Sequence, residues 1–167
     1  MTPEELRDLY DHDQRIGYRE PAVRTEATPF TVRQINERDP YSFMIYSKLN
    51  AYNLDAVISD EIDFFEGIGH SFEWKVFSHD YPPDLVERLA ARGFVTEEPE
   101  TILVLDMANL TGALTQPPHH DIRRVTDPAG VKPLLDVQAE VWGEDYGGHI
   151  ERLMWELENA PDYVSLY

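Results

Sequence analysis

The sequence predicts an α/β chain, of the α+β kind with a mixed sheet. Strand-type alternation, helix-type apolar stripes and glycine or proline stops follow one another along it. Residues 30–36 alternate, with Phe30, Val32 and Gln34 on one side and Thr31, Arg33 and Ile35 on the other, as a half-buried strand requires. Leu54, Val57, Ile58, Ile62, Phe65 and Ile68 recur at three- and four-residue steps, which makes one apolar stripe on a helix.

The elements follow in order. Residues 3–19 are expected to form a helix, capped by Thr2, with Pro3 first and Glu4 and Glu5 near the positive end of its dipole. Pro21 ends it. The strand over 30–36, a polar turn over 37–40 and a strand over 41–49 form a β-hairpin. The second strand is nearly continuous in Phe43, Met44, Ile45 and Tyr46, which predicts burial on both faces. Asn53 caps the striped helix, and Gly67 and Gly69 stop it. A strand over 72–78 comes next, then a helix over 84–92 behind Pro82 and Pro83, with Gly93 at its end. The run Ile102, Leu103, Val104 and Leu105 predicts a strand over 101–107. Residues 108–120 read as a linker, holding Gly112, Pro117 and Pro118. The pattern then restarts: a short strand over 122–125, a helix over 128–142, a glycine break at Gly147 and Gly148, a helix over 149–159 and a strand entering at 162.

Composition excludes several functions. The chain has 167 residues, 42% of them hydrophobic, enough for a packed core. It contains no cysteine, so neither disulfides nor thiolate metal sites are available. No apolar run is long enough for a transmembrane span, and the acidic start Thr2-Pro3-Glu4-Glu5 is unlike a signal peptide; a cytoplasmic protein is expected. With 14 basic and 32 acidic residues the formal net charge is −18, which disfavours nucleic acid and anionic membrane as partners. Such a surface favours solubility and also steers a cationic small molecule or basic peptide.

The run "DLVERLAARGFVTEEPETILVLDM", with the strands and helix before it, resembles the C-terminal half of a GNAT-superfamily N-acetyltransferase. The stretches "DIRRVTDPAGVKPLLDVQAEVWGEDYG" and "HIERLMWELENAPDYVSLY" resemble the first strand, two helices and second strand of another such domain. The layout is similar to a tandem GNAT enzyme, with a degenerate unit over 1–116 and the N-terminal β-α-α-β part of a second domain over 117–167, expected to be cut short before its third strand. The resemblance implies a central, mostly antiparallel sheet flanked by helices. It also implies acetyl-CoA as cofactor and transfer of an acetyl group to an amine. A small-molecule amine or a basic peptide would be the acceptor. An unpaired edge at Ser165–Tyr167 would favour a homodimer.

The resemblance assigns roles by position. Trp142, Glu144, Asp145 and Tyr146 fall in the substrate loop, where carboxylates and rings would hold a cationic amine; the plain alternative is an interhelical loop with Trp142 in the core. Glu73 falls on the strand where a base would sit, against a plain solvent-facing strand residue. Tyr81 precedes the helix that often bears the general acid. Members of the family bind the cofactor's pyrophosphate with a glycine-rich loop ahead of a helix. Here that place is "SKLNAYNLDAV", residues 47–57, without glycine. The expected alternative is therefore a non-catalytic GNAT-like module that binds a partner or dimerises without coenzyme A. His119 and His120 are read as linker residues, since adjacent side chains diverge and a metal needs three or four ligands. Asp80, beside His79, is read as a cap for the helix that follows.

Overall fold

The computed structural model describes residues 1–143 and 149–167, with backbone alone for Ala113, Leu114 and Pro128. The chain is mixed α and β and divides into two compact units, Met1–Pro99 and Glu100–Tyr167; the sequence suggests a boundary after residue 116. No helix among the described residues is long and apolar enough to cross a membrane.

The first unit opens with α1 (Pro3–Tyr10), whose Thr2 cap and Glu5 close a reciprocal capping box. The helix does not stop at Tyr10. It widens into a π-helical turn over Asp11–Ile16, with Gly17 N–H donating to His12 O at 2.8 Å. Helical structure thus ends at Ile16 rather than Arg19.

A four-stranded sheet follows, in the order β1-β2-β3-β4. The strands are β1 (Val23–Ala27), β2 (Thr31–Asn36), β3 (Tyr41–Ser47) and β4 (Ser71–Trp74). The predicted hairpin is β2–β3, and both junctions from β1 to β3 are antiparallel. β4 lies parallel to β3, as a strand that returns through a helix must. β1 carries no sequence alternation strong enough to announce it; pairing with β2 makes it a strand.

The crossover helix is α2 (Leu54–Gly67), and Leu54, Val57, Ile58 and Phe65 of the predicted stripe are buried along it. Gly69 leaves the helix at φ 73°, a left-handed backbone that favours glycine. Phe65 stacks on Phe72 of β4 at 4.2 Å, and α3 (Leu85–Ala90) adds Leu85 and Leu89 to the same core.

Glu61 is also buried on this face. It accepts from Thr31 Oγ1 at 2.7 Å and from Arg33 Nε at 2.5 Å. Arg33 covers the Phe64 ring at 3.7 Å. A carboxylate is tolerated among apolar side chains when it is paired and bonded in this way.

The second unit has fewer regular elements. Residues 101–106, expected as a strand, are in no helix or strand, and Met107–Asn109 forms a single 3₁₀ turn. The physical reason is the lack of a partner strand among the described residues: an apolar run becomes a strand only when a neighbour takes its backbone groups. The expected strands over 122–125 and 162–167 reduce to one antiparallel bridge, Val125 to Leu166. The two helices form as predicted. α4 (Pro128–Trp142) is capped by Asp127, whose side chain accepts from Gly130 N at 3.0 Å. Gly130 also lets Val125 lie against the helix, since a Cβ there would stand 2.7 Å from a Val125 methyl. α4 packs on α5 (His149–Asn159).

Candidate functional site

In the first unit the ladder between the parallel strands ends early. Its last pair is Met44 with Trp74, closed by Lys75 N–H on Met44 O at 2.9 Å. β3 runs on to Ser47, while the chain after Trp74 leaves the sheet.

A bulge at Ile45 accompanies this divergence. Arg33 pairs with Met44 but Val32 pairs with Tyr46, so Ile45 is the extra residue. A bulged residue has its backbone groups released from the ladder. The Ile45 carbonyl accepts instead from Arg15 Nε at 3.0 Å.

Arg15 is wholly buried, at 0% exposure. Its guanidinium donates to both oxygens of Asp80, at 2.9 and 2.8 Å, and to Asp11 Oδ1 at 2.8 Å. It lies over Phe77 at 4.1 Å and Tyr46 at 4.9 Å. Burial by itself would lower its pKa, but the hydrogen bonds and charges of Asp80 and Asp11 outweigh that and raise it. Asp80 therefore does not cap α3. It accepts from Phe77 N at 3.0 Å and holds Arg15, a role that partners 65 residues apart leave no local trace of. His79 Nε2 donates to Asp11 at 2.9 Å, so one carboxylate holds both the buried arginine and an imidazole.

An open cleft of about 160 Å³ lies over this cluster, lined by Asp11, Tyr46, Ser47, Lys48, Leu49, His79, Asp80 and Tyr81. The Ser47 hydroxyl is buried without a hydrogen-bond partner. Tyr81, expected as a general acid, stands on the rim at 56% exposure. Glu73, expected as a base, is not among the lining residues. Its carboxylate pairs with Lys75 and accepts from the Tyr41 hydroxyl at 3.5 Å. Trp142 is 69% exposed at the end of α4, so it is not a core residue. Glu144, Asp145 and Tyr146 lie outside the described residues. Ser42 and His70 look like a nucleophile and its base at 2.8 Å, but Ser42 is fully buried and also accepts from Asn36 N, so the pair locks β3 rather than meeting a substrate.

The residues where the GNAT resemblance would place a pyrophosphate do not fit one. Ahead of α2, Asn50 Oδ1 accepts from the N–H of Tyr52 at 2.8 Å and of Asn53 at 3.1 Å. Asn53 Oδ1 accepts from Asn50 N–H at 2.7 Å, and the Asn50 carbonyl accepts from Leu54 N–H at 3.1 Å. The N–H groups of Asn50, Tyr52, Asn53 and Leu54 are thus bonded within the loop, so four donors ahead of α2 are engaged before a phosphate could use them. Among the described residues no group of three or more His, Asp or Glu could hold a metal ion. Compared with family models, curated proteins and solved structures, the chain matches none.

Proposed function

We propose that this chain is a GNAT-like module whose first unit binds a small amine in the Asp11–His79 cleft, without coenzyme A and without acyl transfer. The observation that carries the reading is the glycine-free loop ahead of α2, in which the N–H groups of Asn50, Tyr52, Asn53 and Leu54 are already bonded to Asn50 and Asn53. Hydrogen-bonded donors of this kind must be stripped from their partners before an anion can use them. The amine follows from the cleft's lining. Asp11 keeps 21% of its side chain exposed, Tyr46 and Tyr81 supply rings, and a net charge of −18 concentrates cations near the surface. Lys48 on the rim opposes a second positive group, so the ligand is small.

Calorimetric titration tests the first half. Acetyl-CoA should produce no saturable heat up to millimolar concentration. Saturable micromolar binding would overturn the proposal and favour a GNAT acetyltransferase acting on an amine acceptor. Titration with ethanolamine, followed by amide resonances, tests the second half. His79 and Asp80 should shift, and Asp11→Asn should abolish the shift.

A further inference from the structure

We propose that the apolar run Thr101–Met107 of one copy of this chain adds as a strand to the open edge of β4 in a second copy, forming a reciprocal homodimer. Two unsatisfied features of the same chain support it. Ile102, Leu103, Val104 and Leu105 are all exposed, Leu103 at 88%, and Met107 is exposed beside them. Soluble proteins rarely leave contiguous aliphatic residues in water unless something covers them. Their side chains are β-branched or long, the continuous run suits a strand covered on both faces, and yet residues 101–106 belong to no strand.

The second feature is the sheet edge. β4 is terminal in the sheet order and has β3 as its neighbour. Its outer backbone groups are the kind that recruit another strand. The side chains of Phe72 and Trp74 pack with Phe94 in the core, so what β4 offers along its edge is backbone. The Trp74 indole N–H is buried there without an acceptor.

The occupant is a second copy because both halves of the contact are on one chain. Two copies related by a two-fold axis satisfy both runs and both edges and leave neither exposed. The run offers roughly 500 Å² of apolar side chain per copy, so reciprocal exchange approaches the ~1,200 Å² that stable interfaces bury before the β4 edge is counted. Charge works against it. Each copy carries −18, and Glu97, Glu98 and Glu100 precede the run. Asp106 lies inside the run itself; salt screens this repulsion, so association should strengthen as ionic strength rises.

Sedimentation velocity on the full chain tests the proposal. A dimer is expected in the micromolar range, tighter in high salt. Leu103→Asp and Val104→Pro should each weaken it by about 100-fold or more. Both positions are exposed and outside the cores of either unit, so unfolding midpoints measured at concentrations where the chain is dissociated should stay unchanged. A chain that remains monomeric at about 100 µM overturns the proposal, including one in which hydrogen exchange shows the run protected within a single chain. So does a dimer that survives both substitutions.

Discussion

Arg15→Ala puts the centre of the first unit under direct test. The side chain is fully buried and makes hydrogen bonds to Asp80, Asp11 and the bulged Ile45 carbonyl. Removing it strands Asp80, whose side chain is 4% exposed, with Phe77 N–H as its remaining donor. Breaking a buried pair from one side costs about 3–5 kcal/mol, because the surviving charge is uncompensated. Asp80→Asn in the Arg15→Ala background should then cost less than it does alone, with a coupling of about 2–3 kcal/mol. The folded pKa of Arg15 is raised, so its contribution is complete below the unfolded value and is lost only as pH rises through the folded one. Both lie far above neutrality, so this contribution should be the same at pH ~7 and ~9. The assay is urea unfolding followed by Trp74 fluorescence, with Trp142 and Trp155 replaced by phenylalanine so that the signal reports the first unit. A penalty below about 1 kcal/mol would refute the reasoning, since it would mean that the cluster is solvated.

Three further outcomes follow from the same structure. Phe65→Ala empties the centre of the α2–β4 contact and should cost about 3–5 kcal/mol in the same unfolding assay. Asn50→Ala removes the acceptor for two N–H groups ahead of α2 and should cost about 1 kcal/mol. Burial first, then the charges of Glu73 and Glu97, hold the Tyr41 phenol above its ordinary value near 10. Its folded pKa is raised, so the associated stability is present below the unfolded value and lost as pH climbs through the folded one. An absorbance titration of tyrosinate should show one late-ionising tyrosine that disappears in Tyr41→Phe and moves down in Glu73→Gln.

Glu73 shows how little position alone says about a side chain's surroundings. On β4 it sits where the GNAT resemblance expects a base, yet its carboxylate faces Tyr41 and Lys75 rather than the cleft. Tyr81 lines the cleft, because the chain leaving β4 passes the point where the parallel strands separate. His79, on the same segment, carries no assigned role in the sequence, where Asp80 beside it reads as a cap. Its actual partner, Asp11, is 68 positions away.

The sequence by itself determined the elements whose period is their cause. The α2 stripe, the β2–β3 hairpin, α4 and α5 are each written in the spacing of their own apolar residues. Tertiary structure decided what depends on a distant partner. β1 is a strand because β2 pairs with it. Residues 101–106 are not a strand despite a stronger apolar pattern, because among the described residues no strand pairs with them. Arg15 is buried because Asp11, Asp80 and a bulged carbonyl converge on it from three parts of the chain. Periodicity reports which face of an element is apolar; it carries no information about which charges will meet inside.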